Sequence, residues 1–317
     1  HLQIDSREDG KVALSGERNS PAFERACEGG ALAIVQGTVL EMAVCLDAIC
    51  RKHDLRYSLA FGSLIGAVRH QGFIPWDDDI DVLMFRDDLD RFLRIAPDEL
   101  PDYYEIQHFS LGNTRRYVTR IVDNRTLMRL DSYGERNDLA IWLDIFVLDG
   151  IPDGRFGRGL QYLRILWHKA MCAFASFEET VNRSRPGRSW WQQAIIEFCS
   201  ITHFGSWMDV GERLKKYDAA LRRYRCTEGE ACFCGVGTYS GERQTWPRAS
   251  LEDLVEYEFE SAVLMGPRDY DSVLSATYGD YMAPPSEGHR AVHNVQVVKH
   301  PVFGGNGDEE DGVSVVG

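Results

Sequence analysis

Between Ala31 and Arg51 apolar residues recur at helical spacing (Ile34, Val35, Val39, Leu40, Met42, Ala43, Leu46, Ile49), which predicts an amphipathic helix. A short strand is expected over Tyr57 to Phe61, ending at Gly62-Ser63, and a small-residue helix from Leu64 to Arg69 follows. Gly72 and Pro75 mark a loop into a second strand, Ile80 to Phe85. A charged helix comes next, Asp87 to Ala96, with Leu89, Phe92 and Leu93 on its inner face. Two or three strands are expected between Tyr103 and Leu130, the clearest being Arg116 to Val122, and Ala140 to Leu148 reads as a central strand. The order strand, helix, strand, helix, strands argues for an α/β (α+β) mixed sheet with helices on one side.

Beyond Pro152 the pattern turns helical, at 155–177, 189–204 and 211–224, with Trp167, Trp190, Trp191 and Phe198 expected to pack on the sheet. Residues 235–300 are mixed, with a short helix near 269–277 capped by Asp269. Four divisions result: a flexible arm over 1–20, a core over 21–151, a mainly helical portion packed on it over 152–302, and an acidic, disordered tail over 303–317.

Composition narrows the function. The 317 residues are 44% hydrophobic and 26% charged, enough for a real core. Lys plus Arg is 35 against 49 Asp plus Glu, a net charge of −14. Such a surface repels phosphate backbones, so nucleic acid is not an expected partner. No apolar run approaches the roughly 20 residues of a membrane-spanning helix. Leu139 to Leu148, read as the most apolar stretch, is broken by Asp144, so no transmembrane segment is expected. The first residues lack the apolar core of a signal peptide. Eight cysteines are too sparse for a disulfide scaffold, and Cys45, Cys50, Cys172 and Cys199 sit singly on apolar faces, which suits a reducing cytoplasm. Cys226, Cys232 and Cys234, with His203, invite a zinc reading, but their spacing is not that of a standard finger and free thiols are expected.

The densest chemical signal is Phe73-Ile74-Pro75-Trp76-Asp77-Asp78-Asp79-Ile80-Asp81-Val82. On a strand, alternate side chains share a face, so Asp79 and Asp81 would point one way, Ile80 and Val82 into the core, and Asp78 away from its neighbours. Two such carboxylates repel unless something positive lies between them, and oxygen ligands favour Mg²⁺ or Mn²⁺. The segment is too apolar for a solvated acidic turn. Asp144, in an otherwise apolar strand, needs a partner as well. The cation of a neighbouring strand or an arginine would serve. Asp149 is expected to begin an Asp149-Gly150 turn. Gly62-Ser63 lies where a strand meets a helix, a place suited to cradle phosphate.

These residues resemble the LicD family. The run from Tyr57 to Phe85, YSLAFGSLIGAVRHQGFIPWDDDIDVLMF, carries the resemblance. It extends upstream to Ile49-Cys50-Arg51-Lys52-His53 and downstream to Trp142–Asp149, to Tyr278-Gly279-Asp280-Tyr281-Met282, and to Pro284-Pro285 with His289 and His293. The segment from Arg183 to Cys234 does not match, so acceptor recognition is not carried over.

The resemblance implies a nucleotidyltransferase-type mixed sheet with flanking helices and a helical C-terminal half. It also implies a metal-dependent phosphotransferase that moves an alcohol phosphate, phosphocholine first, from a CDP-activated donor to a glycan or glycoconjugate hydroxyl. Asp79, Asp81 and Asp144 then hold Mg²⁺ or Mn²⁺ and carry catalysis, with Asp144 the candidate base. Gly62 and Ser63 contact phosphate, and Arg69, Trp76 and His293 contact substrate. Arg120 and Lys299 are expected to be ordinary surface charges, and His70 either to contact phosphate or to make a structural hydrogen bond. Location would be cytoplasmic, touching a membrane only through the acceptor. The rival readings are nucleotide transfer from an NTP and a catalytically silent binding module.

Overall fold

A computed structural model of the chain describes residues 4–6, 12–14, 21–130, 138–177, 189–203, 205–236, 241–283 and 295–301. The strands β1 (Ile4–Ser6) and β2 (Val12–Leu14) pair antiparallel. That short ladder lies within the stretch expected to be a loose arm. The expected tail falls outside the described residues, apart from what precedes it.

Helix α1 (Pro21–Lys52) is interrupted at Gly30, whose φ of 74° is outside helical range, so the apolar helix proper starts there. Residues 30–52 hold an 18-residue window with a mean hydropathy of 1.7, long and apolar enough by composition to cross a membrane. This corrects the expectation that no stretch reaches that length. Glu41 and Asp47 break the run of letters but not its average. The helix spends its apolar face inside the protein, where Val39, Met42, Leu46 and Ile49 are almost fully buried.

A main sheet of eight strands receives it. Strands β3 (Tyr57–Leu59), β4 (Asp81–Phe85), β6 (Thr119–Leu130), β7 (Leu139–Gly150) and β12 (Val295–Lys299) run in the order β12-β6-β7-β4-β3. Strand β5 (Tyr104–Gln107) pairs with β6, and β8 (Ala231–Phe233) joins β7 to β9 (Thr245–Pro247). Among the described residues only the β4–β7 ladder is parallel. The expected central strand is indeed β7, and its alternation is plain: Ile141, Leu143, Ile145 and Val147 are buried, whereas Trp142, Asp144 and Phe146 are half-exposed on the opposite face.

Helices α2 (Phe61–His70) and α3 (Arg86–Glu99) follow β3 and β4 as expected, α2 starting three residues and α3 one residue earlier than the apolar pattern suggested. Later come α4 (Arg155–Ala175), α5 (Trp190–Thr202), α6 (Val210–Leu221), α7 (Arg248–Glu252) and α8 (Tyr270–Tyr278). Asp269 caps α8 through the N–H of Ser272, as its position predicts. A hairpin of β10 (Leu254–Phe259) and β11 (Ala262–Pro267) was not foreseen.

Two expectations are corrected. Asp149 begins no turn: β7 continues through it, and it forms a buried ion pair with Arg86, which also binds Asp218 of α6 at 3.0 Å. Gly150 lacks a side chain because the 225–226 backbone passes where a β-carbon would stand, 2.3 Å from it. Nor do all the late aromatics pack on the sheet, since Trp167 is 62% and Trp190 79% exposed. The side chains of Trp191 and Phe198 lie outside the described residues.

Candidate active site

Register brings the acids together. Asp81 of β4 stands opposite Asp144 of β7, and Asp144 stands opposite Arg120 of β6, so the three form a row across adjacent strands. Because side chains alternate along a strand, one sheet face carries Arg120, Asp144 and Asp81 with Trp142 and Phe146. Arg120 is therefore no ordinary surface charge. Its Nε donates to Asp144 Oδ1 at 2.7 Å, and its guanidinium lies 4.1 Å from the Trp142 ring centre. Trp142 Nε1 donates to Asp144 Oδ2 at 3.0 Å. The partner that a half-buried Asp144 requires is thus supplied within the sheet.

The acids before β4 do not follow strand phase. The strand begins at Asp81; upstream, the chain turns at Pro75-Trp76, with Asp77 N–H donating to Ile74 O at 2.9 Å. One ligand atom each from Asp77, Asp78 and Asp79 gathers within 4.8 Å, the only such group of three His, Cys, Asp or Glu residues among the described residues. Asp78, expected to point away, is part of the group. The cysteines at 226, 232 and 234 make no such cluster with His203; they are buried and form no disulfide.

What shapes this cluster is the start of α2. A β-carbon on Gly62 would stand 2.7 Å from Asp77 Oδ2, so glycine there admits the Asp77 carboxylate against the first turn. A carboxylate is favoured at that helix end, where unpaired N–H groups and the dipole carry positive charge. Ser63 is buried, and its Oγ accepts the N–H of Asp81 at 2.8 Å, tying α2 to the first residue of β4. Gln36 Nε2 donates to Asp77 O at 2.7 Å, so α1 holds the cluster from the other side. The loop before it is clamped by the β10–β11 tip: Glu260 N–H donates to Gln71 O at 2.7 Å, and Phe73 N–H donates to Glu260 Oε1 at 3.2 Å.

Electrostatics make the site a seat for positive charge. Desolvation first, then Asp79, Asp144 and Asp77, push the Asp81 carboxyl well above the usual carboxylate range, with Arg120 acting against them. Carboxylates so placed favour binding of a cation, and an all-oxygen donor set fits Mg²⁺ or Mn²⁺ better than zinc.

The other residues singled out from the sequence are spread more widely. Arg69 sits at the far end of α2, about 9 Å along the axis from Ser63, where its Nη1 donates to Tyr281 O at 3.2 Å. His70 ends the same helix, its pKa lowered by desolvation and by Arg69. Trp76 is half-buried in the turn directly ahead of the acids. Lys299 is exposed on β12. His289 and His293 lie outside the described residues. Sequence reasoning gave no role to Asp77, Gln36 or Glu260; for Trp142, the spacing of two residues from Asp144 on a strand was the available signal.

Residues 54–148 match the family model described as LicD/FKTN/FKRP, nucleotidyltransferase domain. Over that span the chain is similar to the LicD family. The matched span takes in Gly62, the whole acid cluster, Arg120 and Asp144, while Gln36 and Glu260 lie outside it. Similarity extends further against the lipopolysaccharide cholinephosphotransferase LicD of Haemophilus influenzae, with 28% identity over 267 residues, covering 81% of this chain and 95% of that protein. An uncharacterised protein of Rickettsia prowazekii is 28% identical over 46% of this chain and 52% of its own length. Another, of Rickettsia typhi, is 42% identical over 18% of each.

Proposed function

We propose that the chain is a LicD-type phosphotransferase that moves phosphocholine from CDP-choline to a hydroxyl of a glycan or glycoconjugate, with Mg²⁺ or Mn²⁺ bound by Asp79, Asp81 and Asp144. The observation that carries the reading is the row Asp81–Asp144–Arg120 beside the Asp77–Asp79 cluster, within the span similar to this family. The Haemophilus influenzae relative, matched along 95% of its length, supplies the transferred group by its name.

Phosphoryl transfer asks protein groups for position and charge balance more than for covalent chemistry. A bound divalent cation would neutralise charge on the diphosphate oxygens. The acceptor oxygen attacks the phosphorus that bears choline, its bond to the CMP oxygen breaks, and the hydroxyl proton leaves to a base. Asp144 takes that role: Arg120 and Trp142 fix both its oxygens, so its carboxylate is oriented before substrate arrives. Trp76, next to the acids, offers an aromatic face to the donor's base or its trimethylammonium group. Ser63 and Gly62 act by placing Asp81 and Asp77. The buried free thiols of Cys45, Cys50 and Cys199 suit a reducing compartment, and we place the enzyme in the cytoplasm.

Incubation with CDP-choline, CDP-glycerol, CDP-ribitol and CDP-ethanolamine, a glycan mixture and Mg²⁺ tests the proposal. CMP release greatest with CDP-choline supports it; pyrophosphate release from CTP would show nucleotide transfer instead.

A further inference from the structure

Eight of the twelve large hydrophobic side chains exposed among the described residues fall between Phe156 and Trp207. Five belong to α4: Phe156 is 89% exposed, Leu160 52%, Leu163 65%, Leu166 59% and Trp167 62%. At 3.6 residues per turn, Phe156, Leu160, Leu163 and Trp167 fall within about 60° of one another. The opposite side of the helix holds Gln161 and Ile165, buried, with Gln161 Nε2 donating to Ala220 O of α6 at 2.7 Å. So α4 is packed on one side and presents a continuous apolar stripe on the other, a pattern that scattered surface leucines do not make. Trp190, Ile201 and Trp207, from the chain that follows, are exposed by more than 70% each.

Charge selects the occupant. The protein carries −14, yet α4 has no acidic residue; Arg155 and Arg164 flank the stripe, while Arg158 and Lys169 fall on the packed side of the helix. Arg158 reaches Glu242 at 3.4 Å, while Arg213 and Lys216 of α6 add to the positive field around His168. A second copy docking by the same face would set these cations against one another. An anionic lipid surface would match both features, the apolar stripe entering the acyl boundary and the side chains of Arg155 and Arg164, which flank the stripe, reaching headgroups.

We infer that α4 is an interfacial helix by which the protein lies on an anionic bilayer. The acidic remainder of the surface is repelled by such a membrane, so orientation follows from the same charge asymmetry. This inference stands apart from the choice of donor and acceptor, because binding to vesicles that contain no glycan tests it alone.

The experiment is flotation of the full chain with vesicles of phosphatidylcholine alone and of phosphatidylcholine doped with phosphatidylglycerol, at low salt. The wild type should float with the anionic vesicles at least about tenfold more than with the neutral ones. The double variant Leu163→Glu, Trp167→Glu should lose that binding with an unchanged melting temperature, since both side chains are already in solvent. Arg164→Glu should weaken it. Failure of the wild type to float with either vesicle, or equal flotation by the double variant, would overturn the inference. A wild-type dimer that the double variant turns into a monomer in sedimentation would assign the stripe to a second copy instead.

Discussion

Substituting Gly62 by Ala separates the job of shaping the acid cluster from the job of holding the fold. Alanine favours helix over glycine by about 1 kcal/mol, so in α2 the change alone should stabilise. Its β-carbon, however, would stand 2.7 Å from Asp77 Oδ2, and ordinary contact begins at 3.4 Å. Asp77 cannot retreat by its backbone, because its N–H is held by Ile74 O and its carbonyl by Gln36. The carboxylate must therefore swing away by about 0.7 Å or more. Misplacement on the order of 1 Å costs up to about a hundredfold in rate. The expected outcome is a melting temperature equal to or above wild type, with kcat/KM reduced tenfold to a hundredfold and weaker Mn²⁺ binding by titration calorimetry. Gly66→Ala is the contrast. Its β-carbon meets Gly72 O at 2.3 Å and Ile74 N at 3.3 Å, both backbone atoms, so no rotamer relieves it. That variant should lose about 2–3 kcal/mol of stability in urea denaturation. Wild-type activity in a well-folded Gly62→Ala protein would refute the placement of Asp77 in the working site.

Ser63→Ala strands the N–H of Asp81 and should cost about 1–2 kcal/mol in urea, with a fall in activity; unchanged values in both would remove Ser63 from the site's architecture. Arg120→Met leaves Asp144 without its cation and should destabilise by about 2 kcal/mol, while the thermal stabilisation given by Mn²⁺ grows; a shrinking Mn²⁺ effect would contradict the charge balance described. His108 is buried and its pKa falls to about 4, so the folded protein binds fewer protons than the unfolded chain between that value and 6.5. Stability from this group is full above pH 6.5 and is lost as pH falls, by about 1–2 kcal/mol between pH 7 and 5; the loss should shrink in His108→Gln, and an identical pH dependence in the two proteins would show that His108 is not its source.

Much of the scaffold could be read directly. In β7 the alternation of Ile141, Leu143, Ile145 and Val147 against Trp142, Asp144 and Phe146 states which face is core, and it correctly puts Asp144 on the other. Adjacency of Asp81 and Asp144 needed only that β4 and β7 be neighbours. The pairing of Arg120 with Asp144 was not legible, because it depends on the register of β6 against β7, which shifts between Asp123 and Met128. The phase of Asp78 failed for a local reason: the Ile74–Asp77 turn delays the strand to Asp81, so the alternation of a strand does not reach back to it. The β10–β11 hairpin had a signal in Val255-Glu256-Tyr257-Glu258-Phe259, where polar and apolar residues alternate, but its charge masked it. Its consequence, Glu260 gripping the loop before the acids, is a tertiary contact that no local pattern announces.

The central claim is that these acids, with a divalent cation, transfer a choline-bearing phosphoryl group. Phosphorus NMR of the wild type and Asp81→Asn with CDP-choline, a lipopolysaccharide acceptor and Mg²⁺ tests it most directly. The account predicts that CMP and a new phosphodiester rise in step in the wild type, stop in excess EDTA and resume with Mn²⁺, and fall on the order of a thousandfold in Asp81→Asn without loss of fold. Turnover that persists in EDTA, or an Asp81→Asn protein that is folded and fully active, would contradict it.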